Sequence, residues 1–257
     1  MSELTERVIA ALRANHDTLV ALVPGLNPQQ LTGPSGASDW SVAQVLSHLG
    51  SGAEISRKPI ATAAGEQVEA EDNQSIWARW DGSSPAQQAS GFVEHDTAYL
   101  DTVESLSAEQ LDSLQIDMGF LPEPVPLVVA LGMRLNEVAN HAWDVLVGLD
   151  PQAEIDAETA AVLVELYTGP LAFMLGFSGK PDLLDGEVRL AVPGGGVEIT
   201  DKVVVSGAVA DPTATLAGPD GAVIRLISGR LTPDHSEGVV VTGDVALEDL
   251  RKVFPGY

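Results

Sequence analysis

The sequence has no cysteine. A disulfide scaffold, a cysteine-based zinc site and a catalytic thiol belonging to the chain are all excluded. Sulfur chemistry would need a thiol carried in by a small molecule. Basic residues are scarce: 13 Lys and Arg stand against 37 Asp and Glu, a formal net charge of −24. A field of that sign repels phosphate backbones and anionic lipid, so neither nucleic acid nor a membrane surface is an expected partner. No run reaches the ~18 consecutive apolar residues of a membrane-spanning helix. The segment Met1-Ser2-Glu3-Leu4-Thr5-Glu6-Arg7 carries acids where a secretory signal has basic residues and then a long apolar run. The expected location is the cytoplasm. What the chain does have is apolar bulk, with 45% hydrophobic residues in 257. That supports a packed core and excludes intrinsic disorder of the whole chain. The length fits one large domain or two small ones, at about 100–200 residues each.

The two parts of the chain differ in texture. Residues 1–178 read as helices. Leu4, Val8, Leu12, Leu19, Leu22 and Val23 recur at helical spacing, and Pro24-Gly25 is a stop. A second helix starts at Ser41, where Ser41-Val42-Ala43-Gln44 forms a capping box and Trp40 can staple onto Val45. It is expected to end near Arg57-Lys58-Pro59. A third spans about Pro85 to Leu106, with proline in its first turn. A fourth follows the stiff Pro122–Pro126 connector and ends before Asp150-Pro151. A fifth, about Ala157 to Leu175, carries Gly169-Pro170 and is expected to kink there. After Gly179-Lys180-Pro181, short β-branched runs at 187–192, 202–205, 213–216 and 239–242 alternate with glycine and proline turns. Helical stretches at 220–227 and 247–253 lie among them. Residues 182–257 are therefore expected to form a small α+β domain.

Candidate chemistry sits on the fourth helix. Glu137 and His141 are four apart, so a carboxylate and an imidazole leave one helix face. Together with His48 from a facing helix they would make a two-His, one-carboxylate metal set with a coordination position left open. Such an E-x-x-x-H pair can equally be a surface pair, and His48 can be a satisfied interior histidine. The apolar neighbours Val138, Ala142 and Val145 favour a largely buried helix, where an uncompensated carboxylate is costly.

These residues resemble a family. Trp40-Ser41-Val42-Ala43-Gln44-Val45-Leu46-Ser47-His48-Leu49 is similar to the first signature of the DinB-like metalloenzymes. Arg134-Leu135-Asn136-Glu137-Val138-Ala139-Asn140-His141-Ala142-Trp143-Asp144 is similar to the second. The branch it most resembles is the mycothiol-dependent maleylpyruvate isomerase and S-transferase family. The later segments 210–219 and 227–231 resemble that branch's sterol-carrier-like α+β domain. The resemblance implies a four-helix bundle holding a divalent metal, zinc first among the candidates, at His48, Glu137 and His141. It also implies mycothiol, the low-molecular-weight thiol of actinobacteria, as co-substrate and a small electrophile as its partner. The metal would favour the reactive thiolate. In a transferase the thiolate stays on the electrophile. In an isomerase it adds to a cis double bond, the bond rotates, and the thiol leaves. Transfer is placed ahead of isomerisation because so few basic residues are present to bind a dicarboxylate. A metal- or ligand-binding protein without turnover is the further alternative.

Other residues carry two possibilities. Asp144 can accept the second ring N–H of His141, or it can sit in solvent. Arg134, one turn before Glu137, can orient that carboxylate or make a surface ion pair of little energetic value. Arg230 matches, by resemblance, an arginine of the small domain that serves at the active site, where it would bind a carboxylate. His16 and His95 are expected to be structural, and His235 is expected in a solvated turn. The acidic run Glu66 to Asp72 is a wet loop. Trp77 and Trp80 belong to the core or to a pocket wall.

Overall fold

The computed structural model describes residues 2–69 and 71–256. Met1 of the amino-terminal segment, Ala70 of the acidic run and Tyr257 lie outside the described residues. The chain forms two compact units, one ending at Ala153 and the other beginning at Glu154.

The first unit is built on α1 (Ser2–Leu22), α2 (Pro28–Thr32), α3 (Val42–Ala63), α4 (Asn73–Asp81), α5 (Pro85–Glu104) and α6 (Ala108–Ser113). A two-residue ribbon, β1 (Gln115–Ile116) with β2 (Val125–Pro126), then leads into α7 (Leu127–Val147). The starts of these helices are written in the sequence. Ser41 with Gln44, Ser84 with Gln87 and Ser107 with Gln110 each close a reciprocal capping box. Asp72 caps α4 through Ser75. The four long helices α1, α3, α5 and α7 make the bundle, with α3 most extensively packed on α5 and α1 on α7. The Trp80 indole of α4 fits against α3 and α5 because Gly50 and Gly91 lack a side chain, since a Cβ at either would lie 2.2 Å or 2.9 Å from its ring. α3 runs through Pro59 to Ala63, beyond the expected stop. Proline there removes one backbone donor, and burial of Ile60 and Ala61 just past it holds the last turn.

The second unit contains α8 (Ala157–Thr168), α9 (Leu175–Ser178), β3 (Val188–Val192), β4 (Gly195–Ile199), β5 (Val203–Ser206), β6 (Ala214–Ala217), α10 (Ala222–Ile227), β7 (Val240–Gly243) and α11 (Leu247–Val253). Its sheet has the order β5-β4-β3-β6-β7, antiparallel except for the β3–β6 pair. β3 and β6 alternate buried and open residues, as a sheet with one covered face requires.

Two expectations change here. The bundle was expected to extend to residue 178, yet the helical segment after Asp156 packs with the sheet. α8 buries Leu163, Val164, Leu166 and Tyr167 and contacts β5 and α10. The fifth helix is also broken rather than kinked. It stops at Thr168, and the chain turns by 83° into the segment Ala172–Ser178. β4 is an addition, because Gly195-Gly196 conceals a strand. Both glycines are needed there: a Cβ would lie 2.6 Å from Ser206 O or 2.7 Å from Val209 Cβ. Among the described residues no single helix is long and apolar enough to cross a membrane.

Candidate metal centre

His48 lies on α3, and Glu137 and His141 lie one turn apart on α7. One ligand atom from each of the three falls within 4.8 Å of the others. His48 Nε2 is 3.2 Å from Glu137 Oε2, and His141 Nε2 is 3.6 Å from the same oxygen. Ligand bonds of about 2.0–2.2 Å in a tetrahedral site put donors roughly 3.3–3.5 Å apart. The set present would fit a divalent ion, and three protein donors would leave room on it for a substrate atom. Burial pushes the Glu137 carboxyl up. The His48 hydrogen bond and the charges of His141, His48 and Arg134 act against it and hold Glu137 below the usual carboxylate range.

Asp144 is fully buried, and its Oδ2 lies 2.8 Å from His141 Nδ1. A carboxylate at that position keeps the proton on Nδ1 and leaves the Nε2 lone pair facing the cluster. Asp144 is thus placed on the imidazole and not in solvent. Its main chain is gripped as well, since Gly36 N–H donates to Asp144 O at 2.8 Å.

Arg134 fits neither of its two expected settings. It is buried, so it makes no surface pair, and its Nη2 donates to Asp96 Oδ1 and to Leu49 O, both at 2.9 Å. Asp96 Oδ2 in turn sits 2.8 Å from His16 Nδ1. This hub touches all four long helices, and its carbonyl partner is the residue next to His48. Gly52 gives it room, because a Cβ there would lie 2.9 Å from Arg134 Nη1. Arg134 acts on Glu137 only through its charge. Burial raises the Asp96 carboxyl, while His16 and Arg134 together hold it below its ordinary range.

Sequence reasoning missed the role of Trp40. Expected as a staple, its indole instead sits 5.2 Å from the His48 ring and 5.9 Å from the His141 ring, centre to centre. It remains 38% exposed. Its position eight residues before His48, ahead of a capped helix, was the available signal.

The remaining candidates fall elsewhere. His95 packs edge-on against Trp80 and lies 3.6 Å from Glu54, beside the Trp80 and Arg79 contacts of that carboxylate. Trp80 is buried with Ile76, whereas Trp77, a quarter turn round α4 from Ile76, is exposed. His235 occupies a short 3-10 turn, half-buried, and its carbonyl accepts from Arg225. Arg230 belongs to the second unit, where its N–H donates to Arg225 O at 2.7 Å and its Nη1 to Ser228 O at 3.4 Å.

A family model, the mycothiol maleylpyruvate isomerase N-terminal domain, matches residues 12–146. The chain belongs to this family. The match covers α3 and α7 and so includes all three ligand candidates of this mycothiol maleylpyruvate isomerase domain. Two uncharacterized proteins of Mycobacterium tuberculosis, from strains CDC 1551 and H37Rv, are each 26% identical over 144 residues, covering 56% of this chain and 68% of theirs. The crystal structure of the mycothiol-dependent maleylpyruvate isomerase aligns with a TM-score of 0.61 at 19% identity, covering 94% of this chain and 95% of that one. That of its histidine-to-alanine mutant aligns at 0.60 and 18%, with the same coverage. At this identity the two structures establish the fold: a helical first part followed by a small sheet domain.

Proposed function

We propose that the protein is a metal- and mycothiol-dependent enzyme that joins the thiol to a small electrophile. The observation carrying this is the His48–Glu137–His141 cluster, held on α3 and α7 within the residues matched to a mycothiol family. The donor set suits zinc, and also iron, nickel or manganese. A divalent metal held there supplies a Lewis acid that favours the thiolate over the thiol at neutral pH.

The chain's own residues do the rest. Asp144 fixes the His141 tautomer. Glu137 provides the negative donor, kept ionised by its neighbours. Arg134 ties the helix of His48 to the helix of Glu137 and His141. Trp40 covers one side of the two imidazoles and limits the approach of water. In transfer, the thiol loses its proton to solvent, its sulfur bonds to the electrophilic carbon, and the leaving group departs with the electron pair. The second reading is isomerisation, favoured by the activity named for the two solved relatives. There the thiolate adds to a cis double bond and is expelled after rotation, so no thiol is consumed. Arg230 as a carboxylate-binding residue rests on the family resemblance, and a raised KM for an acidic substrate in Arg230→Ala would support it. A cytoplasmic location is part of the same proposal.

The test is product formation from a reactive electrophile with mycothiol, with glutathione and with no thiol, while following thiol consumption. Loss of thiol with mycothiol supports transfer, and turnover without loss of thiol supports isomerisation. Equal rates in all three would overturn both and point to hydrolysis by activated water.

A further inference from the structure

The second unit contains a small pocket of its own. It encloses about 190 Å³ between the end of α10 and α11 and is lined by Leu226, Leu231, Thr232, Pro233, Arg251 and Phe254 among others. That is below the ~300–1,000 Å³ of drug-sized sites, so its ligand must be small. The mouth is partly open, and most of the wall is apolar. Leu226, Leu231 and Phe254 are each 1% exposed, so the wall is set by the core of the unit before any ligand arrives. Gly229, also in the lining, holds a φ of +74° against Gly256, where a Cβ would lie 2.3 Å from the Gly256 nitrogen.

Two side chains in this wall carry hydrogen-bond donors, Thr232 and Arg251. Arg251 is held at two of its three nitrogens: Nε donates to Leu231 O at 2.6 Å, and Nη1 donates to Glu248. Nη2 is buried and has no partner. In a planar guanidinium one N–H of Nη2 runs parallel to Nε–H. Nε–H points at Leu231, so the free N–H lies along the same side, toward the Leu231-Thr232 segment of the wall. The Thr232 hydroxyl makes no hydrogen bond among the described residues. Burying a donor without an acceptor is costly, and a carboxylate is the acceptor that matches arginine best. The charge distribution points the same way. Arg225, Arg230 and Arg251, three of the chain's 13 basic residues, meet here: Arg230 N–H donates to Arg225 O, and Arg251 reaches the carbonyl one residue beyond Arg230. On a chain of net charge −24 an anion finds few such places. Glu154 already pairs with Arg225, and Arg230 is not in the lining, so Arg251 is the cation that the pocket offers.

We propose that this pocket binds a small monocarboxylic acid with an apolar body. The carboxylate accepts from Arg251 Nη2 and the Thr232 hydroxyl, and the body lies against Leu226 and Phe254. A second acidic group would meet no further cation in the wall, and a long acyl chain exceeds the volume. Such a ligand would join α11 to the segment that follows Arg230. The assignment is independent of the metal centre and of the thiol.

The test titrates the full chain with benzoate, benzamide and acetate, followed by ligand-observed NMR. Wild type should bind benzoate. Benzamide keeps the ring and loses the charge, and acetate keeps the charge and loses the ring; each should bind at least about tenfold more weakly. Thr232→Val, which keeps the shape and loses the hydroxyl, should weaken benzoate binding by about fivefold. Arg251→Lys keeps the charge but not the planar fork, and should weaken it by at least about tenfold. Circular dichroism confirms folding, and if Arg251→Lys does not fold, Thr232→Val and the benzamide comparison still decide. His48→Ala removes a candidate metal ligand and should bind benzoate as wild type does. No binding by wild type, equal affinity for benzoate and benzamide, or unchanged affinity in Thr232→Val overturns the proposal. Loss of benzoate binding in His48→Ala would move the carboxylate to the metal centre and overturn it as well.

Discussion

Replacing Asp144 tests how the metal centre is held. The carboxylate is fully buried, and its Oδ2 lies 2.8 Å from His141 Nδ1, the length of a charge-assisted hydrogen bond. Loss of such a partner to a metal-bound histidine typically lowers metal affinity 10–100-fold. Asp144→Asn keeps a carbonyl oxygen that can accept from Nδ1–H and loses the charge, so its cost belongs near tenfold, about 1.4 kcal/mol. Asp144→Ala loses the acceptor and frees the imidazole to turn, so its cost belongs near a hundredfold, about 2.7 kcal/mol. The gradient between the two variants is the prediction. The Gly36 contact is to the main-chain oxygen of Asp144 and survives both substitutions, so the loop stays docked. Competition with a chromogenic chelator at fixed pH measures the two constants, and circular dichroism confirms the fold. Affinities within twofold of wild type in both variants would refute the reasoning, as would a weaker constant for Asp144→Asn than for Asp144→Ala.

Further outcomes are expected from the same geometry. His48→Ala and His141→Ala should each abolish stoichiometric metal in the purified protein, about one ion per chain in wild type, as measured by elemental analysis; unchanged content in both would make the assignment wrong. Gly36→Ala places a methyl 2.7 Å from Val147 Cγ1 and 2.9 Å from Asp144 Oδ1. It should cost about 1–3 kcal/mol in thermal unfolding and weaken metal binding with it. The folded pKa of Asp96 is lowered, so its contribution to stability is present above its unfolded value of about 3.9 and is lost as pH falls through the folded value. The gap in melting temperature between wild type and Asp96→Asn should therefore shrink as pH falls below about 4; a gap that does not change between pH 5 and pH 2 would contradict this.

The gathering of His48, Glu137 and His141 was legible because its sequence signals are local. Glu137 and His141 are one helical turn apart, and His48 follows a capped helix start within a recognisable signature. Helix starts were legible for the same reason, since Ser41 with Gln44 and Ser84 with Gln87 act across three residues. The hub was not, because His16, Asp96 and Arg134 come from three helices far apart in the chain. The trace it did leave is a polar residue on the buried stripe of each helix: His16 between Leu12 and Leu19, Asp96 between Phe92 and Tyr99, Arg134 between Leu131 and Leu135. α8 was assigned to the bundle because helical periodicity does not say what a helix packs on. β4 was passed over because two glycines weaken a strand signal where close backbone approach demands them.

The hub also bears on how the first unit folds. Asp96 is satisfied only when α1 brings His16 and α7 brings Arg134, and Arg134 also needs the Leu49 carbonyl of α3. A partial bundle lacking one of these helices must leave a charge buried without its partner, at a cost of about 3–5 kcal/mol. Intermediates are thereby disfavoured relative to both ends of the reaction, and unfolding of the unit becomes all-or-none. Because these contacts join residues distant in the chain, they close late, and their loss should speed unfolding more than it slows folding. An ion cluster set one residue from His48 should thus work as a checkpoint on assembly, admitting only chains whose four helices have already met.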